Sequence, residues 1–350
     1  MKVFISALLI TVMLSSLNGQ SAIFLHHSTG EGVYVEGGVA GWISNYNSAN
    51  GTSYSVTERS YPDTPYPWEN YPYDYWNLWI NNQCNSTNPN IQCLNNILQS
   101  YDVVIYKHCF PGAGIAADNG TPSVSSPIKT IANYKLQYRA LRNLMDQYPG
   151  KKFIVWTLAP LHRLETTTEE ASRAREFVNW VKSSWLTEDG KSHPNIYIFD
   201  FFGLVAESNP TPVNGKVNCL KYEYEKSHTI VDSHPNTLAN TTVGPIFAQF
   251  IVNTFKGQTT EISDPESNLS RLIIYPNPSD GIITLEFSDS SIYDKMISID
   301  ILNLNGQIIF SRQLMNQGLL NIDASAFAKG MYLIRVNDGK QVFSSRVAVD

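Results

Sequence analysis

Ala22-Ile23-Phe24-Leu25-His26-His27-Ser28-Thr29-Gly30 is the stretch on which the reading of this chain turns. A short unbroken apolar run suits a strand covered on both faces, as in a parallel sheet. This one ends in a serine, with a glycine close behind. Three later runs have the same character, at residues 101–106, 152–156 and 195–200. Between and after them lie helical patterns. One spans residues 134–148, with Leu141, Leu144 and Met145 on one face. A second runs from the capping-box pair Thr167 and Glu170 to Leu186 and carries Phe177, Val178, Val181 and Trp185, and a third covers residues 239–255. Strands alternating with helices predict a three-layer α/β/α unit around a parallel sheet.

Outward from that core, the composition bounds what the chain does. Its 350 residues are 43% hydrophobic and 16% charged, which is globular rather than disordered. With Lys+Arg 25 against Asp+Glu 31, the net charge is −6, and no basic face is left for a nucleic-acid partner. Lys2 followed by the apolar residues 3–14 and then small residues reads as a signal peptide, residues 1–21. That segment is too short to span a bilayer core, which takes roughly 20 residues. No later run is long and apolar enough to do so, so the expected location is secreted or at the cell surface, reached through the periplasm.

Export makes the 4 cysteines disulfide candidates. Cys84 and Cys93 flank a polar stretch and read as a stapled loop, worth about 2–4 kcal/mol if bridged. Cys109 and Cys219 are a second candidate pair, and Cys109 reads as structural before catalytic. No CxxC or CxH spacing exists, so no metal and no other cofactor is expected.

Composition changes at residue 258, where a polar, aperiodic linker (258–270) follows the predicted α/β domain (22–257). Beyond it, short strand-like runs at 272–275, 282–287, 297–302, 307–312, 319–322, 331–336 and 341–347 are punctuated by turns such as Pro278-Ser279-Asp280-Gly281 and Asn305-Gly306. They predict a small Ig-like β-sandwich over 271–350. Three pieces there, Tyr275-Pro276-Asn277-Pro278 with Gly281, Ile301-Leu302-Asn303-Leu304-Asn305-Gly306, and Ala328-Lys329-Gly330-Met331-Tyr332-Leu333-Ile334-Arg335-Val336, resemble the C-terminal sorting domain of type IX secretion. The resemblance implies the type IX machinery as a partner and places the chemistry upstream.

Two upstream motifs carry that chemistry. A serine at the carboxyl end of the first parallel strand sits where open α/β sheets place their ligands. A helix starting there aims its free N–H groups at a developing oxyanion. The second motif is Val231-Asp232-Ser233-His234-Pro235-Asn236, just before the last helix. A hydroxyl needs a base to become a nucleophile, histidine suits that task near neutral pH, and a carboxylate fixes its tautomer. An early serine with a late Asp and His on an α/β sheet resembles the SGNH (GDSL-type) hydrolases over residues 22–256. That resemblance implies Ser28 as nucleophile, His234 as general base and Asp232 as its orienting acid.

The sequence departs from that family at three places. Ser28 stands in His-Ser-Thr-Gly rather than Gly-Asp-Ser. Asp232 stands two residues before the histidine, and Val231 holds the usual position three before it. Lys107-His108-Cys109-Phe110 replaces Gly-x-Asn-Asp. Without that asparagine, the candidates for oxyanion or substrate contacts are the Ser28 N–H, Gly30, His108 and Gly112.

The expected function is a secreted serine hydrolase cleaving an ester, an acetyl ester on a polysaccharide among the candidates. A non-catalytic glycan-binding protein on the same scaffold is the alternative, and acyl transfer to an alcohol would use the same residues. Separation of Ser28 and His234 beyond one bridging water would favour the binding module. The aromatic stretch 61–79 reads as packing on the sheet ahead of a sugar-binding wall. His26 and His27 alternate in direction along the strand, so they cannot share a metal there. His228 reads as a loop residue, Asp200 as a cap, His193 as surface, and His162 with Arg163 as pocket lining.

Overall fold

The computed structural model describes residues 19–258, 272–287, 295–303, 307–337 and 342–350. The signal segment up to residue 18, the linker from 259 to 270 and the Asn305-Gly306 turn lie outside the described residues. The chain divides near residue 260 into two compact units.

The first unit is built on β1 (Ser21–His26), α1 (Ser28–Val35), α2 (Val39–Asn50), β2 (Ser55–Ser60), α3 (Pro72–Trp79), α4 (Leu94–Ser100), β3 (Val103–Tyr106), α5 (Ile131–Met145), β4 (Lys152–Trp156), α6 (Thr168–Ser183), β5 (Ile196–Phe199), α7 (Phe201–Val205) and α8 (Thr237–Phe255). Its five strands are all parallel, in the order β2-β1-β3-β4-β5. The four apolar runs supply the inner strands and β5. The remaining strand, Ser-Val-Thr-Glu-Arg-Ser, is an edge whose side chains stay largely exposed, so it carries no apolar run for the sequence to show.

Alternation along the strands builds two cores. Ile23, Leu25, Val104, Tyr106, Phe153 and Val155 pack under α3, α5 and α6. On the other face Phe24, Trp156 and Phe199 meet Phe247 of α8 at centroid distances of 4.9, 4.6 and 5.0 Å. The aromatic stretch joins the first core, with Tyr61, Tyr71, Tyr75 and Trp79 buried there. The Trp79 indole N–H donates to the Tyr61 hydroxyl at 2.5 Å.

Two glycines set the approach of the helices that matter for the site. A Cβ on Gly244 of α8 would lie 2.2 Å from the Gly37 carbonyl oxygen, and one on Gly37 would lie 2.8 Å from the Gly244 Cα. Backbone therefore packs on backbone where the chain leaving α1 meets α8.

The second unit is antiparallel: β6 (Leu272–Tyr275), β7 (Ile282–Phe287), β8 (Met296–Leu302), β9 (Ile308–Met315), β10 (Leu319–Asp323), β11 (Gly330–Asn337) and β12 (Val342–Val349). They form a three-stranded sheet β10-β7-β6 and a four-stranded sheet β12-β11-β8-β9. Inward residues of both, among them Ile283, Leu285, Ile299, Ile301, Ile334 and Val347, share one core, as in an Ig-like sandwich.

Candidate active site

β1 ends at His26, and the chain turns directly into α1 at Ser28. Two buried histidines fix this turn. His26 Nε2 lies 2.6 Å from Glu58 Oε2. The His27 ring stacks on Trp68 at 3.4 Å with its Nε2 2.5 Å from the Pro62 carbonyl oxygen. Ser28, between them and the helix, is exposed.

From the other end of the unit, the segment before α8 brings His234 to the serine. The Ser28 hydroxyl donates to His234 Nε2 at 2.7 Å, and His234 Nδ1–H donates to Asp232 Oδ1 at 2.5 Å. The same Oδ1 accepts the His234 backbone N–H at 2.9 Å. One carboxylate oxygen thus closes a local turn and orients the ring together, which is why a spacing of two residues suffices. Burial opposes ionisation of Asp232, but the His234 hydrogen bonds and the nearby His234 and Lys226 charges outweigh it and hold the carboxyl below its ordinary value. The edge of the Phe110 ring packs on the imidazole at 4.8 Å.

The loop carrying the Asp and His is anchored from below. Buried Glu225 meets His162 Nε2 at 3.2 Å, Arg163 Nε at 3.1 Å and His228 Nδ1 at 3.0 Å. Ser233 accepts the His162 N–H at 2.6 Å and donates to Glu165. His162 and Arg163 therefore brace this segment rather than line the cleft, a correction to the sequence reading. Asp200 caps α7 through the Gly203 N–H. His193 is buried between Asp146 and Asp189, not on the surface.

The cleft over the serine measures about 450 Å³. Glu31, Gly32, Val35, Glu36, Lys226 and Asn240 line it beside Ser28, Asp232 and His234.

Of the oxyanion candidates, two are committed elsewhere and a third is buried away from the cleft. The Gly30 N–H donates to the His27 carbonyl at 2.7 Å, and the Gly112 N–H donates to the Cys109 carbonyl at 2.9 Å. The His108 ring is fully buried among Tyr75, Tyr106 and Tyr138, with no hydrogen-bond partner among the described residues. Burial and the neighbouring Lys107 charge lower its pKa to about 3. The Ser28 N–H has no protein acceptor among the described residues and stays available.

Cysteine pairing is settled in part. Cys84 and Cys93 form a disulfide, whereas Cys109 and Cys219 are free and buried, so the expected second bridge does not exist. Cys109 lies instead against the serine, its sulfur 3.9 Å from Ser28 Oγ. Nothing in the local sequence signals this, because β1 and β3 become neighbours only through the strand order. Among the described residues no group of His, Cys, Asp and Glu could hold a metal ion.

Residues 273–350 match the family described as a secretion system C-terminal sorting domain, the address of type IX export to the surface or the medium. No helix among the described residues is long and apolar enough to cross a membrane. No curated protein sequence matches the chain. Similar solved structures include a protein of the DUF3244 family with an immunoglobulin-like β-sandwich fold from Bacteroides vulgatus, at 11% identity and TM-score 0.20, covering 23% of this chain and 84% of that one. A carbohydrate esterase aligns at 13% identity and TM-score 0.32, over 67% and 65% of the two chains. A gut microbial diltiazem-metabolizing enzyme aligns at 10% identity and TM-score 0.33, over 88% and 73%.

Proposed function

We propose that residues 22–257 are a serine hydrolase acting on ester bonds outside the cell, delivered there by the domain at 271–350. The observation that carries this is the chain Ser28 Oγ, His234 Nε2, Nδ1, Asp232 Oδ1, with links of 2.7 and 2.5 Å. A non-catalytic binding module has no need of a serine in direct contact with a histidine whose far nitrogen is fixed by a carboxylate.

In the reaction, the Ser28 oxygen attacks the ester carbonyl while His234 Nε2 takes its proton. Nδ1–H stays bonded to Asp232, whose charge stabilises the imidazolium. The Ser28 N–H, at the positive end of α1, faces the oxyanion. His234 returns the proton to the departing alcohol, and a water activated by the same ring releases the acid from the acyl-enzyme. The substrate proposed is a small acyl ester, an acetyl group on a polysaccharide being the specific candidate. The test is turnover of a chromogenic acetyl ester by the mature chain and by Ser28→Ala. The variant should lose roughly 10³-fold or more in kcat/KM. Equal turnover in both proteins would place the chemistry elsewhere.

A further inference from the structure

Behind Ser28 lies a pair of buried ionisable side chains that the hydrolytic steps leave unused. Lys107, just past β3, is fully enclosed. Among the described residues no carboxylate lies in ion-pair range of it. Its partners are the Cys109 sulfur and, at 3.5 Å, the His108 carbonyl oxygen. Gly30 makes the room: a Cβ there would lie 2.9 Å from the Lys107 Cδ and 2.5 Å from the His26 Cβ.

The Cys109 sulfur faces the first turn of α1. It is 3.6 Å from Thr29 Oγ1 and 3.9 Å from Ser28 Oγ, and the Thr29 N–H points at it. α1 has no side-chain cap, and the Gly30 and Glu31 N–H groups both go to the His27 carbonyl, so the sulfur is the acceptor left for Thr29. Burial raises a thiol, yet the Lys107 charge and the Thr29 hydroxyl and N–H donors act against it, and Cys109 lies below the ordinary thiol value. Burial lowers Lys107, and the sulfur is what opposes that.

The Lys107 charge also acts on His26 at the end of β1, on His27 just after it, and on His108. Burial first, and then the Lys107 charge, lower His26 and His108 to about 3, and both also act to lower His27. Glu58 meets this cluster at His26, and the Asp63 charge acts on His27. None of the three rings is a negative partner for the lysine, and the Cys109 sulfur is the side-chain group that opposes its loss of charge.

We infer that Cys109 and Lys107 are positioning residues of the serine site: the sulfur caps α1 through Thr29 and so fixes the turn that presents Ser28, and the lysine keeps that sulfur an acceptor. This rests on Ser28 being the nucleophile.

The direct readout is ultraviolet thiolate absorbance of the mature chain followed as pH is raised. Burial pushes the Cys219 thiol up to about 11, and Cys84 and Cys93 are bridged, so the first thiolate to form as pH rises belongs to Cys109. Wild type and Cys219→Ser should each show one thiolate forming below the ordinary thiol value, a step absent in Cys109→Ser and moved to higher pH in Lys107→Met. In the ester assay, Cys109→Ala should lower kcat about tenfold or more with KM nearly unchanged, since a small displacement of reacting groups is costly. Cys109→Ser, which keeps an acceptor, should recover part of it. A wild-type chain with no thiol ionising below the ordinary value, or full kcat in Cys109→Ala, overturns the inference. Turnover surviving in Ser28→Ala would instead overturn the hydrolase reading, and the thiolate signal is independent of it.

Discussion

Replacing Asp232 by Asn and by Ala separates what its charge does from what its geometry does. Both His234 bonds end on the same oxygen, Oδ1, at 2.5 and 2.9 Å. An amide can present its carbonyl oxygen to both donors, so Asp232→Asn keeps the ring orientation and tautomer and loses the charge. A charge-assisted hydrogen bond is worth about 1.5–3 kcal/mol against roughly 1 kcal/mol for a neutral one. The Asp232 side chain is 34% exposed, so the lower part of that range applies. That leaves a difference of about 0.5–1 kcal/mol, and at about 1.4 kcal/mol per decade the loss in kcat is roughly two- to fivefold. Asp232→Ala removes the acceptor altogether, frees the ring and its tautomer, and should cost roughly 10²- to 10⁴-fold. KM should stay near the wild-type value in both, because the interaction strengthens only as the imidazolium forms. Steady-state kinetics on a chromogenic ester measures the ordering. Equal losses in Asn and Ala, or kcat within about threefold of wild type in both, would refute the single-oxygen argument.

Other outcomes follow from the packing and the charges. Gly244→Ala forces its new Cβ onto the Gly37 backbone and parts α8 from the chain leaving α1, so urea denaturation should show about 1–3 kcal/mol of destabilisation and the ester assay a loss of kcat. Cys84→Ser with Cys93→Ser opens a loop of sequence separation 9 and should cost about 2–3 kcal/mol by the same denaturation, with kcat retained. Asp232 is held below its ordinary 3.8, so its contribution to stability is present above that pH and is lost as pH falls through the lower folded value. The stability difference between wild type and Asp232→Asn should therefore be flat at higher pH and shrink on acidification below that point.

How much of this was legible in the sequence depends on where each signal resides. The apolar runs gave four of the five parallel strands, because burial on both faces writes itself into consecutive residues. The edge strand Ser55–Ser60 has no such pressure and left no trace. Pro72 opens α3 at its first turn, where its missing N–H costs nothing, and Tyr75, Trp76 and Trp79 of that helix are buried, as the packing reading of the aromatic stretch expects. In the site, Ser28, Asp232 and His234 were findable because each stands at a marked place, a strand end or the approach to a helix. Cys109 and Lys107 were not. Their relation to Ser28 comes from β1 lying beside β3, a fact of strand order across 81 residues of chain. His162 and Arg163 stand after a strand end, as pocket residues do, but Glu225 draws them beneath the loop instead.

The most direct test of the central claim is covalent capture of the nucleophile by a serine-directed fluorophosphonate, read by intact mass and peptide mapping. The account predicts one adduct per chain, on Ser28, formed slowly or not at all in His234→Ala. An unlabelled wild-type protein, or an adduct on any other residue, would contradict it.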